Sequence, residues 1–188
     1  MIGNDLVSLQ QAALESNWQR KGYLDKIYTP AEQQLIFQAA NPSLTLWILW
    51  SMKEAAYKIV NRLTGIRSYS PLSYVCTGLQ INDWQASGEV QYLDQSFFTS
   101  TEIHSEYVHS VAVSQTTDFD HICLHYLENT AGYLQEFNKL SSFYQLGKNY
   151  SGLPEMTHLT TGNKHAASIS HHGAFLAVIY SDSLLLTN

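Results

Sequence analysis

The stretch WSMKEAAYK, Trp50 to Lys58, places two lysines and a glutamate inside the most apolar run of the chain. Leu46, Trp47, Ile48 and Leu49 precede it, and Ile59 and Val60 follow. Each helical residue turns about 100°, so Glu54 and Lys58 fall on one face, in a stripe with Trp50 and Asn61. Lys53 lies one step off that stripe. As a surface pair, Glu54 and Lys58 would contribute about 0.2–0.5 kcal/mol. The bulky apolar flanks argue for more, because a charge beside apolar bulk is costly unless it is paired or bound to a ligand. A carboxylate and an amine on one rim of a core helix suit a metal ion and an anion.

Outward from this helix, expected over about 44–63 with Gly65 as its stop, the chain alternates in character. MIGNDLVSL reads as an opening strand. YTPAEQQLIFQAA marks a helix start: Thr29 can cap, Pro30 suits the first helical position and Glu32 completes a capping box. The NPS triplet at 41–43 breaks that helix. From about Leu72 to Leu127, alternating β-branched and aromatic residues predict antiparallel strands. A helix is expected over 128–147, ending at Gly147. HAASISHHGAFLAVIYSD reads as strand, tight break at Gly173, strand. No internal repeat is apparent, and the order predicts an α+β domain with an antiparallel sheet packed on a long helix.

The 188 residues suit one domain, 1–188, and 45% hydrophobic against 14% charged residues predicts a true core. No apolar run is long enough for a membrane span, and the N-terminus shows no secretion signal. Cys76 and Cys123 lie far apart, so a cytoplasmic protein with free thiols is expected. A net charge of −6 argues against nucleic acid as a partner. Basic residues are still gathered locally, at Arg20, Lys21 and Lys26 and again at Lys53, Lys58, Arg62 and Arg67. His121, Cys123 and His125 in HICLH fall on one face of a strand, too far apart to converge easily on one ion.

WSMKEAAYK resembles the W-S-x-K-E-A/S-x-x-K signature of the 4′-phosphopantetheinyl transferases. IGNDLV (2–7) resembles the family's G-x-D motif, and SISHHGAFLAVIYS (168–181) resembles its S-x-S-H strand. DKIYTPAE, LTGI (63–66) and SGLPEM (151–156) are similar to three minor family segments. The resemblance covers roughly 1–73 and 150–182 and is closest to the small holo-acyl carrier protein synthases, leaving about 74–149 as an atypical insertion.

The resemblance implies transfer of the phosphopantetheine arm of coenzyme A to a serine of an apo acyl or peptidyl carrier protein, with Mg²⁺ held by Asp5 and Glu54. Mg²⁺ takes one or two carboxylates together with phosphate oxygens and water. The family's further acidic position is occupied by Val7. Glu54 is a candidate base as well, with Lys58 steadying it or a phosphate. Ser170 and His171 are expected to contact the coenzyme A phosphates, with Lys53 and Lys164 ranked below them as cofactor contacts. Arg20, Lys21 and Lys26 are candidates for docking an acidic carrier. In the small synthases the site forms between subunits, so the resemblance implies a homo-oligomer, a trimer first. Two rivals stand beside this reading: an inactive relative that binds coenzyme A or a carrier without transfer, and a structural oligomer.

Overall fold

Residues 1–181 are described in a computed structural model. Strand β1 (Ile2–Ser8) is buried along its length except at Asp5, which is half-buried. Helix α1 (Leu9–Glu15) follows at once, its N-terminus capped by Ser8. Helix α2 (Pro30–Gln38) begins with the expected capping box, the Thr29 and Glu32 side chains each meeting the other's backbone amide. The long helix α3 (Pro42–Thr64) is capped by Asn41, so the NPS triplet starts this helix as well as ending the previous one. Gly65 closes it in the left-handed conformation at φ 73°.

Four strands follow, β2 (Val75–Ile81), β3 (Gln85–Tyr92), β4 (Gln95–Ile103) and β5 (Tyr107–Val113). With β1 they form an antiparallel sheet in the order β1-β5-β4-β3-β2. The apolar face of α3, including Leu46, Ile48, Leu49, Met52, Ala55 and Ile59, packs with Val90, Phe97, Val108 and Ala112 of this sheet. Burying each such side chain contributes about 1.5–3 kcal/mol, so α3 is held chiefly by this face.

The second sheet comprises β6 (Ile122–Glu128), β7 (Tyr144–Lys148), β8 (Pro154–His158), β9 (Lys164–His172) and β10 (Phe175–Ser181), in the order β6-β10-β9-β8-β7. Helix α4 (Tyr133–Lys139) fills the position between β6 and β7 that α3 fills between β1 and β2. The two sheets therefore have the same strand order, displaced by five strands along the chain. This structural repeat was not apparent in the sequence. The two hairpins carry its faint trace: His104 and Tyr107 close a two-residue turn in the first half, as His172 and Phe175 do in the second.

One expectation changes. The helix expected over 128–147 is a single short helix followed by a strand. Ser141 Oγ accepts from the amides of Phe143 and Tyr144, and the Asn138 side chain bonds both the N–H and C=O of Leu146. These local bonds compete with helix continuation, and Gly147 lies within β7. The stretch 74–149 supplies β2–β7 and α4 and is integral to both sheets.

Candidate functional site

Gly3 explains how the site begins. A Cβ here would overlap the Ala55 carbonyl of α3, so only glycine lets β1 lie this close to the helix. Ser51 Oγ then donates to the Asp5 carbonyl at 2.8 Å, fixing β1 along α3. The next residues on the same side of α3 are Glu54 and Lys58.

Lys58 Nζ donates to the Asn4 carbonyl at 2.6 Å, reaches Asp5 Oδ1 at 3.4 Å and donates to the Ile169 carbonyl of β9 at 3.3 Å. One ammonium thus ties the acidic strand, its own helix and the SISHH strand together. Burial pushes the Asp5 carboxyl above the usual carboxylate range, with Lys58 opposing the rise. Burial, then the nearby Asp5 charge, raises Glu54 to about 7, again against Lys58. Glu54 accepts no hydrogen bond from the described residues. Two carboxylates that disfavour each other's charge, with one of them unpartnered, form a donor set that fits a hard divalent cation. Among the described residues no three His, Cys, Asp or Glu side chains cluster as a metal site. A cation held here would complete its shell from water and substrate oxygens.

β9 meets the edge of β1 with one face. Ser168 Oγ accepts from Asn4 N at 3.2 Å, Ser170 Oγ from Asn4 Nδ2 at 2.9 Å and His172 Nδ1 from Ser8 N at 3.1 Å. Alternation along the strand puts these three on one side and His171 on the other. Ser170 is buried in this seam, whereas His171 is exposed. His172 Nε2 also approaches Glu15 at 3.2 Å. Gly173, at φ 58°, makes the turn against Ser8.

Two expected cofactor contacts are placed elsewhere. Lys53 is fully buried, and its ammonium donates to Glu32 Oε2 at 2.8 Å, the Ile27 carbonyl at 3.0 Å and the Pro71 carbonyl at 3.1 Å. All three of its protons are used, so the first lysine of WSMKEAAYK locks α3 to α2 instead of facing a ligand. Lys164 pairs with Glu155 at 2.7 Å at the exposed start of β9. Six residues along an extended strand put it roughly 20 Å from Ser170.

Sequence reasoning missed two features near the acidic pair. The first is the aromatic group beside it, where Tyr69 meets Trp50, Tyr57 and Tyr74. The Tyr69 hydroxyl is buried and unpartnered among the described residues, and burial with the charges of Glu54 and Asp5 holds its pKa far above the usual phenol. The second is Asn4, whose side chain is the polar hub of the seam. The sequence signal for it was an amide residue beside Asp5 in a mostly apolar strand. Arg20 and Lys21 are exposed and line a surface groove of about 490 Å³ with Trp18 and Phe37, and Lys26 is exposed nearby. No helix among the described residues is long and apolar enough to cross a membrane.

A protein-family model described as the 4′-phosphopantetheinyl transferase superfamily matches residues 1–133. The chain belongs to that superfamily. The match includes Asp5, Glu54 and Lys58 and runs through most of the stretch expected to be an insertion. It ends before Ser170 and His171. No curated protein matches the chain at a significant level. Members of this family transfer phosphopantetheine to carrier proteins and typically use Mg²⁺ and coenzyme A.

Proposed function

We propose that this chain transfers the 4′-phosphopantetheine group of coenzyme A to a serine of an apo acyl or peptidyl carrier protein. The observation that carries the reading is Lys58 bridging Asp5 and the Ile169 carbonyl, with the unpartnered Glu54 carboxylate one turn away. Asp5 and Glu54 would hold Mg²⁺, which supplies charge neutralisation at the diphosphate. The serine hydroxyl oxygen forms a bond to the phosphorus next to the pantetheine arm. The bond from that phosphorus to the bridging oxygen breaks, and adenosine 3′,5′-bisphosphate leaves with the bonding electrons. Glu54 is the carboxylate placed to take the serine proton, directly or through water. Lys58 and the exposed His171 are the cations and donors available to phosphate. Lys53, with its protons engaged, has no part in this step.

The trimer implied by the small synthases rested on a site needing two chains. Here the acidic strand, the K-E helix and the S-H strand come from one chain, so the reading takes one chain as one site. The rival of a non-transferring relative is favoured by a single observation, the burial of Ser170 with its oxygen engaged by Asn4. Calorimetry with coenzyme A, with and without Mg²⁺, tests the substrate assignment. Mg²⁺-dependent binding that is lost in Asp5→Asn supports it, and no binding under either condition overturns it.

A further inference from the structure

The repeated strand order gives the molecule two seams of the same kind, finished differently. Asn129 N donates to the Ala174 carbonyl, and alternation along the ladder from there turns the backbone amides of Leu124 and Tyr126 to the free edge of β6. The amides of Asn4 and Ser8 stand in the same way at the free edge of β1, counted from Leu9 N and the Glu106 carbonyl. The matching turns align the two edges. Asn4 pairs with Val111 as Leu124 pairs with Ile179, at the same distance along the chain from Tyr107 and Phe175. By the same count Ser100 holds the place of Ser168, and Glu102 that of Ser170. In the first seam the Asn4 amide donates to Ser168, and the edge is closed. In the second the Leu124 amide meets no acceptor among the described residues, and a cavity of about 490 Å³ lies between β6 and the outer face of the first sheet.

The Tyr126 hydroxyl bridges the halves at one end of this gap. It donates to Glu102 Oε2 at 2.7 Å and lies 2.9 Å from His109 Nδ1, whose Nε2 lies 3.0 Å from Asn4 Nδ2. His104 meets the same Glu102 oxygen at 3.2 Å, so Glu102 Oε1 is left without a hydrogen bond among the described residues. Burial drives the Glu102 carboxyl up, but the bonds from Tyr126 and His104 prevail and hold it below its ordinary value. Burial also keeps His109 neutral, at about 4. No lysine or arginine lines the cavity among the described residues, so Glu102 sets its charge. Val111, Phe119, Ile122 and Leu124 form a half-buried apolar wall, and Ser87 and Ser100 a polar one.

We propose that this second seam binds a small organic cation: an ammonium on the carbon next to a neutral carbonyl, with an apolar side chain. The ammonium donates to Glu102 Oε1, the carbonyl accepts from the Leu124 amide, and the side chain lies against Phe119 and Ile122. Glu102 stands two positions from Ser100 along β4, roughly 7 Å, and the repeat sets Ser100 opposite Leu124. An α-ammonium amide spans such a separation with a hydrogen bond at each end. The volume falls within the roughly 300–1,000 Å³ of small-ligand sites. The site uses neither Asp5 nor Glu54, and it stands whether or not the chain transfers phosphopantetheine.

The test titrates leucinamide into the ¹⁵N-labelled full chain at about pH 6.5, where its amine is protonated, with N-acetylleucinamide as the uncharged control. The expected result is saturable shifts of the Leu124 and Ser100 amide signals. Removing the ligand's charge, or Glu102→Gln in the protein, should weaken binding about tenfold or more. Ser87→Trp, at an exposed position, fills the mouth and should abolish the shifts while the other amide signals stay in place. No saturable shift at Leu124 overturns the site. Equal affinity for the two amides, or binding unchanged in Glu102→Gln, overturns the cation assignment. Binding that persists in Ser87→Trp overturns the placement.

Discussion

Lys53 Nζ and Glu32 Oε2 lie 2.8 Å apart with both side chains buried, on the side of α3 away from Asp5. Glu32 also accepts from the amides of Thr29 and Cys76, so one carboxylate joins α2, α3 and β2. Breaking one partner of such a pair costs about 3–5 kcal/mol, because the other charge stays buried. Lys53→Met is expected to lose that much in urea unfolding. Lys53→Met with Glu32→Gln should recover part of it, since no bare charge is left.

Gly3→Ala tests the approach of β1 to α3. The added Cβ meets backbone, which cannot swing aside, and overpacking of this kind costs about 1–3 kcal/mol or more. The expected outcome is a lower thermal midpoint and a larger fall in transfer rate than the stability loss explains, because Asp5 moves with the strand.

The acidic pair makes a pH prediction in metal-free protein. Glu54 is raised from 4.5 to about 7, so the folded state holds its proton more tightly than the unfolded state. That contribution to stability is complete below about pH 4.5 and is lost as pH rises to about 7, a change of roughly 3 kcal/mol. His109, lowered from 6.5 to about 4, works in the opposite sense over an overlapping range, its contribution lost as pH falls. The difference between the parent and Glu54→Gln removes the histidine. Chemical unfolding from pH 4.5 to 7.5 should show Glu54→Gln gaining on the parent as pH rises, and excess Mg²⁺ should shrink that gain.

Lys164 and Lys58 separate the remote from the local cation. Lys164→Ala is expected to change coenzyme A affinity less than about twofold, since an exposed ion pair contributes little. Lys58→Met should lower transfer by about 100-fold or more, because it removes the cation between Asp5 and β9.

Much of this was legible in the sequence. The capping box at Thr29, the glycine stop at Gly65 and the hairpin break at Gly173 are local signals that neighbouring residues decide. Glu54 and Lys58 stand in one short motif and Asp5 in another, and the fold brings the three together. Lys53 was misjudged because its partner Glu32 lies 21 positions away, and the spacing within α3 says nothing about α2. The short α4 was overextended because Ser141 and Asn138 redirect the backbone through side-chain bonds that periodicity does not register. The repeated sheet order escaped notice because the two halves share topology and little sequence, with helices as unequal as α3 and α4. Asn4, His109 and Tyr126 come from three separate strands, and only the fold joins them.

The proposed single-chain site carries an expectation for assembly. Light scattering at micromolar concentration is expected to give the mass of one chain, with activity in that peak. Activity confined to a larger species would contradict a site built within a single chain.

The central claim is the transfer itself. An apo carrier protein from the same genome, incubated with coenzyme A, Mg²⁺ and this protein, is weighed intact by mass spectrometry. The account predicts that the carrier gains one phosphopantetheine group on a serine, and that the gain disappears with Glu54→Gln and with Asp5→Asn. A folded parent protein that leaves every native carrier at its apo mass would contradict it.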